Sequence, residues 1–120
     1  MQATSFVRSY FDAWNQMDPQ RVVRHMASDA VYWDSVEGVH YSREELLVAL
    51  IEFFNRYRQH HELIGDILIN QDTIAYQYRM TLFDLLPGFG QVSAYHGAEF
   101  ITVHGESAIS ITDVYHTPVT

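Results

Sequence analysis

The 120-residue chain contains no cysteine, and that absence removes several kinds of chemistry at once. Disulfide bonds, thiolate metal sites and cysteine nucleophiles are all excluded. Basic residues are also scarce, with 7 Lys and Arg against 15 Asp and Glu and a formal net charge of −8. Such an acidic chain has no basic patch to release counterions from phosphates, so neither nucleic acid nor an anionic membrane is an expected partner.

Long apolar runs are missing as well. No window is long enough to cross a bilayer, and the first 17 residues lack the basic start and apolar run of a signal peptide. We therefore expect an intracellular, cytoplasmic protein. Hydrophobic residues nevertheless make up 48 % of the chain and charged residues 18 %, which is enough apolar material for a core. The length predicts a single domain spanning residues 1–120.

Aromatic residues are plentiful, and the first half of the chain spaces its apolar residues as helices do. Residues 3–16 predict an amphipathic helix. Asp18-Pro19 is typical of a helix start and predicts a short helix to about Met26. Residues 42–45 have the S-x-x-E form of a capping box and open a long helix whose apolar side includes Tyr57. Between these helices, residues 30–34 predict a strand and residues 38–41 its hairpin partner or a loop.

From residue 61 onward the apolar period changes to two, which indicates strands. The strands are predicted at residues 61–69, 73–84, 92–104 and 107–116. Turn signals separate them at residues 70–72, 87–90 and 104–106. Helices followed by a run of antiparallel strands predict an α+β fold in which the helices cover one face of a sheet.

The strand alternation places acids on apolar faces. Glu99 shares a face with Ile101 and Val103, and Asp34 shares one with Tyr32. Asp113 falls on the same side of its strand as Ile109, Ile111 and Tyr115. An ionised carboxylate in apolar surroundings is costly, so these acids are candidate proton donors or acceptors with raised pKa values. The same alternation points His96, His104 and His116 toward the opposite, more polar face.

No metal site is expected. The run His60-His61-Glu62 is a weak signal, because adjacent strand residues point to opposite faces and cannot both serve one ion. Gly88-x-Gly90 lacks the strand and helix that flank a phosphate-binding loop, and it is typical of a hairpin.

The order of helix, short helix, strand, long helix and antiparallel sheet resembles the nuclear transport factor 2-like superfamily. The resemblance implies a cone-shaped α+β barrel, in which a curved, mostly antiparallel sheet wraps around three N-terminal helices and one deep pocket. Enzymes and non-enzymes share this fold, so the fold alone does not decide the activity.

The first half of the chain is similar to the start of the ketosteroid isomerases. The similarity runs through Tyr10, residues 13–15, Asp18, residues 29–30 and Asp34. By this resemblance Tyr10 donates a hydrogen bond to a developing oxyanion, Asp34 moves the proton, and Glu99 is a third, protonated acid.

The second half resembles the SnoaL-like polyketide cyclases. Residues 86–90 stand where those proteins have a hairpin, and residues 111–115 resemble their last strand, whose aspartate acts as acid and base. That aspartate corresponds to Asp113. Arg79-Met80-Thr81 lacks the aspartate of the Arg-x-Asp pair in limonene epoxide hydrolases, which argues against epoxide hydrolysis. Scytalone dehydratases use inward histidines, which the alternation does not predict here.

Together these resemblances imply proton transfer, without a cofactor, on an apolar cyclic carbonyl compound, as an isomerisation or an aldol-type cyclisation. Two alternatives stay open: a ligand-binding or dimerisation domain without catalysis, and an interaction module with a filled core. A homodimer through the convex sheet face is also expected, since Phe83, Phe100 and Val114 lie there. The expected pocket wall consists of Trp14, Tyr32, Phe54, Tyr76, Tyr78, Ile101, Ile111 and Tyr115.

Overall fold

A computed structural model describes residues 2–86, 90 and 92–116, and within them three helices pack against one six-stranded sheet. The predicted hairpin turn at residues 87–90 falls largely on residues 87–89, which lie outside the described part. The helices are α1 (Ala3–Asn15), α2 (Pro19–Arg24) and α3 (Arg43–Arg56). The strands are β1 (Met26–Asp34), β2 (Val39–Ser42), β3 (Tyr57–Asn70), β4 (Thr73–Asp84), β5 (Val92–His104) and β6 (Ser107–His116).

Local chemistry explains where the helices begin. The side chain of Asp18 accepts a hydrogen bond from the backbone N–H of Arg21, and Pro19 occupies the first turn of α2. Ser42 and Glu45 form the predicted capping box, in which each side chain accepts from the backbone of the other residue. Both N-terminal signals in the sequence are therefore confirmed.

The sheet order is β2-β1-β6-β5-β4-β3, and every neighbouring pair is antiparallel except β1 and β6. This parallel pair places the first strand beside the last one. The three helices cover one face of the sheet, and α1 alone buries six apolar or aromatic residues there. The predicted α+β class and cone architecture are confirmed.

Three details of the sequence prediction were wrong. Strands β1 and β3 begin at Met26 and Tyr57, whereas the sequence pattern predicted starts at residues 30 and 61. Tyr57 opens strand β3 and is not part of α3, because it pairs with Asp84 of β4 in the sheet. Pairing with the sheet thus overrides the helical apolar period at this residue.

The third correction concerns Ile109, which was predicted to point inward with Ile111. The register between β5 and β6 shifts so that Ser110 pairs with Thr102 and Ala108 pairs with Val103. Ile109 is left over by this bulge and is 39 % exposed, while Ala108 is fully buried in its place. The bulge ends before Ile111, so Asp113 still points inward as predicted.

The outer, convex face carries the residues that the alternation assigned to it. Phe83, Phe100 and Val114 are between 42 % and 47 % exposed. His96, His104 and His116 are exposed as well. No helix in the described part of the chain combines the length and the apolar character needed to cross a membrane.

Candidate functional site

A half-open cavity of about 170 Å³ lies between the helices and the concave face of the sheet. Its polar wall includes three acidic residues, Asp34, Glu37 and Asp113, together with several tyrosines. Its apolar wall comes mainly from α3, with Trp14 of α1 closing the other side. The lining residues are Trp14, Tyr32, Asp34, Glu37, Tyr41, Leu46, Ala49, Leu50, Phe53, His61, Tyr78, Met80, Asp113 and Tyr115.

Three acids form a row across the middle of the sheet. Glu99 of β5 pairs directly with Asp113 of β6, and Asp113 pairs directly with Asp34 of β1. Directly paired residues of neighbouring strands point to the same face, with Cβ atoms about 5 Å apart. Like charges at that spacing repel each other, so the row favours a state in which at least one of its members is protonated.

Asp113 is the middle member of the row and faces the cavity. Its Oδ1 accepts a hydrogen bond of 2.6 Å from the Tyr78 hydroxyl, and its Oδ2 accepts one of 2.7 Å from the Tyr32 hydroxyl. Burial raises the pKa of Asp113 to about 6; the hydrogen bonds from Tyr78 and Tyr32 oppose this rise, and the charge of Asp34 adds to it. A carboxyl group with this pKa changes its protonation state close to neutral pH, as an acid-base catalyst requires.

Gly97 makes the contact between Tyr78 and Asp113 possible. Gly97 pairs with Tyr78 on β4 and with Tyr115 on β6, so both of its cross-strand neighbours are tyrosines. A Cβ atom built on Gly97 would lie 2.6 Å from both Cζ and the hydroxyl oxygen of Tyr78. The Tyr78 ring therefore lies over the strand where a side chain would otherwise stand, and its hydroxyl reaches Asp113.

Asp34 lies at the mouth of the cavity and is half-buried. Its Oδ1 accepts two backbone N–H bonds of 3.0 Å, from Val36 and Glu37 of the following turn. Its Oδ2 accepts a bond of 3.1 Å from the Tyr115 hydroxyl. Asp34 thus ends the strand as a turn residue and also lines the cavity. Its tyrosine partner is Tyr115, not the Tyr10 that the resemblance to ketosteroid isomerases suggested.

Glu99 and Tyr10 are buried behind the cavity and do not line it. Burial and the neighbouring Asp113 raise the pKa of Glu99 well above its usual range, although the hydroxyl of Tyr76 donates a bond of 2.6 Å to it. The Tyr10 hydroxyl has no hydrogen-bond partner among the described residues and is fully buried. The structure therefore does not place either residue against a ligand in this cavity.

The expected pocket wall is divided in the same way. Trp14, Tyr32, Tyr78 and Tyr115 line the cavity. Phe54, Tyr76, Ile101 and Ile111 belong to the core cluster and do not reach the cavity surface.

The sequence analysis missed His61, which lines the cavity and is 7 % exposed. Its ring lies 4.8 Å from the Trp14 ring and 5.3 Å from the Tyr78 ring, measured between centroids. Burial, with a smaller contribution from His60, lowers the pKa of His61 to about 3, so the imidazole is neutral at physiological pH. Pairing with the known inward face of β4 would have identified it, because His61 pairs with Met80.

A larger groove of about 720 Å³ lies outside the helices, between α1 and β3. It is lined by exposed polar residues such as Thr4, Arg8 and Asp12, and it contains no buried titratable group. The smaller inner cavity is therefore the better candidate for chemistry. Within residues 2–86, 90 and 92–116, no three His, Asp or Glu side chains are grouped closely enough to hold a metal ion.

This cone fold, with acids on the concave face of its sheet, defines a protein of the nuclear transport factor 2-like class. The chain belongs to the SnoaL-like domain family, whose sequence profile matches residues 7–111. No curated protein matches the chain significantly in sequence.

Solved structures with similar folds are distant in sequence. A protein from Xanthomonas campestris pv. campestris, described as a candidate polyketide cyclase, is 20 % identical with a TM-score of 0.82, covering 95 % of this chain and 90 % of its own. A hypothetical protein with a ketosteroid isomerase-like fold from Catenulispora acidiphila, in complex with trimethylamine, is 19 % identical with a TM-score of 0.82, at 92 % and 84 % coverage. SalBIII, an epoxide hydrolase/cyclase-like enzyme with a role in pyran ring formation in salinomycin, is 16 % identical with a TM-score of 0.82, at 94 % and 89 % coverage.

Proposed function

We propose that this protein is an enzyme that moves a proton within a small, apolar, cyclic carbonyl compound without a cofactor. The reaction is an isomerisation or an aldol-type cyclisation, since both begin by removing a proton from the carbon next to the carbonyl. The observation that carries the proposal is the position of Asp113, a buried carboxyl group on the wall of an aromatic cavity with its pKa raised to about 6.

Asp113 is better suited than Asp34 to take the substrate proton. An ionised carboxylate has about four acceptor sites. Asp34 uses three of them, on Val36, Glu37 and Tyr115, whereas Asp113 uses two. Asp113 is also the more buried of the two, and a drier site strengthens its interaction with a reacting group.

The hydroxyl groups of Tyr32 and Tyr78 supply the second half of the mechanism. In the resting state both hydroxyls donate to the Asp113 carboxylate. When Asp113 takes a proton it becomes a weaker acceptor, and the hydroxyl protons are free to rotate toward the enolate oxygen that forms at the same moment. These donors therefore bind the transition state more strongly than the substrate, which is the condition for acceleration. They replace Tyr10 in the role that the sequence resemblance gave it.

The size of the cavity limits the substrate. A cavity of about 150 Å³ is known to hold benzene, and this one measures about 170 Å³. A compound with one six-membered ring fits it without movement of the walls. A polycyclic compound exceeds this volume and would have to extend out of the open side of the cavity.

The test is α-proton exchange in D2O, followed by NMR on a panel of monocyclic ketones such as cyclohex-2-enone. This assay detects the shared first step and does not require knowledge of the product. We expect the wild-type protein to exchange the α-proton, with a rate that rises with pH through about 6 as Asp113 loses its proton. Asp113→Asn is expected to slow the exchange by roughly 10²–10⁴-fold, the usual contribution of a general base.

Two further variants complete the design. Asp66→Asn changes the same charge at an exposed site on β3 and serves as the matched control. Asp34→Asn distinguishes the two acids: if it abolishes exchange while Asp113→Asn retains it, Asp34 is the base and the assignment to Asp113 is wrong. If the protein binds the ketones but exchanges no α-proton, the enzymatic proposal fails, and a non-catalytic ligand-binding domain is the better description.

A further inference from the structure

His61 is held against the cavity by a chain of hydrogen bonds that fixes which ring nitrogen carries the proton. The backbone oxygen of Trp14 can only accept, so the Gln59 side-chain atom that bonds to it is the amide nitrogen. The amide oxygen of Gln59 then faces Nδ1 of His61. Because an amide oxygen can only accept, Nδ1 must carry the proton and donate it.

The other ring nitrogen, Nε2, is consequently an acceptor. Nε2 has no hydrogen-bond partner among the described residues. Within this part of the chain the Tyr10 hydroxyl is the one fully enclosed side-chain polar atom without a partner, so Nε2 must be partly accessible. Since His61 is almost wholly buried and lines the cavity, the accessible part of Nε2 opens onto that cavity. A neutral imidazole with its bare nitrogen toward the ligand accepts a hydrogen bond.

The backbone of His61 is fixed as firmly as its ring. Strand β3 is an edge strand, and the side chain of Asn15 pairs with that open edge. The side-chain amide nitrogen of Asn15 donates to the backbone carbonyl of His61 at 3.0 Å. The backbone N–H of His61 donates to the side-chain oxygen of Asn15 at 2.6 Å. The end of α1 thus sets the position of His61, as a site residue requires.

The remaining polar groups of the cavity also call for a donor on the ligand. The hydroxyls of Tyr32 and Tyr78 donate to Asp113, and that of Tyr115 donates to Asp34. In the resting state these three hydroxyl groups therefore donate to acceptors of the protein and not to a ligand. Asp34 and Glu37 at the mouth add negative charge, which disfavours an anionic ligand.

We infer that His61 is a substrate-binding residue whose Nε2 accepts a hydrogen bond from a hydroxyl group, so the ligand is an uncharged, hydroxyl-bearing single-ring compound. This inference deepens the proposed function and rests on the same cavity being the ligand site. It adds a second point of attachment: the hydroxyl binds His61 on β3, and the reacting carbon faces Asp113 on β6. Two such points orient a flat ring that apolar walls alone would leave free to turn.

The test compares phenol with toluene, which carry a hydroxyl group and a methyl group, respectively, on the same ring. Binding to the wild-type protein is measured by NMR titration. We expect phenol to bind roughly tenfold more tightly, in the range of one hydrogen bond to an otherwise unpaired acceptor. His61→Phe keeps an aromatic ring between Trp14 and Tyr78 but removes the acceptor, and it should abolish the preference for phenol. His60→Phe, the same change on the adjacent exposed residue, should retain it.

A second measurement needs no variant and so does not depend on the folding of His61→Phe. The ¹⁵N chemical shifts of His61 in the wild-type protein report which nitrogen carries the proton. We expect a protonated Nδ1 and a bare Nε2, with the Nε2 signal moving when phenol binds and staying in place with toluene.

Three results would overturn the inference: equal binding of phenol and toluene, a preference for phenol that survives His61→Phe, or a proton on Nε2. These results are separate from the α-proton exchange assay. A protein that prefers phenol through His61 but exchanges no ketone proton would retain the binding role and lose the enzymatic one. The reverse outcome, ketone exchange without a preference for phenol, would retain Asp113 as the base and exclude His61 from ligand binding.

Discussion

Replacing Asp113 by Asn should become more favourable to the stability of the protein as the pH rises from 4 to 7.5, although it removes the proposed catalytic group. In the folded protein burial raises the pKa of Asp113 from 3.8 to about 6. The native state therefore binds the Asp113 proton more tightly than the unfolded chain does. The stabilisation from this group is complete below about pH 4 and is lost as the pH rises through about 6.

The size of the effect follows from the shift. A difference of about two pKa units corresponds to roughly 3 kcal/mol, at 1.36 kcal/mol per unit. At pH 7.5 the wild-type protein carries nearly all of this cost of a buried charge, whereas at pH 4, just above the ordinary pKa of 3.8, about 0.5 kcal/mol of it remains. The amide that replaces the carboxyl group in Asp113→Asn has no charge at either pH. The variant should therefore gain about 2.5 kcal/mol relative to wild type between pH 4 and pH 7.5.

Urea unfolding at both pH values, followed by tryptophan fluorescence, measures this difference. Any constant cost from altered hydrogen bonds to Tyr32 and Tyr78 appears at both pH values and cancels. Asp66→Asn removes a charge of the same sign from an exposed position and controls for the change in net charge. If the stability of Asp113→Asn relative to wild type is the same at pH 4 and pH 7.5, the reasoning that burial raises the pKa of Asp113 is refuted.

The remaining predictions concern other parts of the fold. Gly97→Ala should displace the Tyr78 ring, which lowers the free energy of unfolding by about 1–3 kcal/mol and raises the pKa of Asp113 further. Urea unfolding measures the first effect and ¹³C NMR titration the second. An Asp113 pKa equal to that of the wild-type protein would contradict the contact. Tyr10→Phe removes a buried hydroxyl without a partner among the described residues, so it should leave α-proton exchange intact and cost no stability; slowed exchange would return Tyr10 to the active site. The wild-type protein should sediment as a dimer through its convex face and Phe100→Asp as a monomer, and a monomeric wild type would rule that interface out.

Strand alternation was sufficient to place Asp113 and Glu99 on the inner face, because the period of two holds through the middle of β5 and β6. It failed at Ile109, where a bulge adds one residue that no local pattern announces. The alternation also does not indicate how close an inward residue lies to the cavity: Glu99 and Asp113 point the same way, yet only Asp113 reaches the cavity. How far a side chain lies from a cavity depends on the helices packed above it.

The helix and histidine predictions failed for related reasons. The apolar stripe of α1 correctly marked Tyr10 as buried, but a stripe does not distinguish the core from a pocket wall. His61 lay within the predicted strand at residues 61–69, but the alternation of that strand does not show which of its two faces points inward; the pairing of His61 with Met80 of β4 decides this. The role of Gly97 depends on the path of the Tyr78 ring across two strands, which sequence spacing does not encode.

The parallel pairing of β1 with β6 has a consequence for how the site comes into being during folding. Tyr32 and Asp113, which share a hydrogen bond, are 81 positions apart in the chain. Contacts of such long range form late, because the loop between them must be closed before they contribute. The cavity is therefore complete only when β6 pairs with β1: this pairing brings Tyr32 to Asp113 and Asp34 beside it, and the polar wall depends on both.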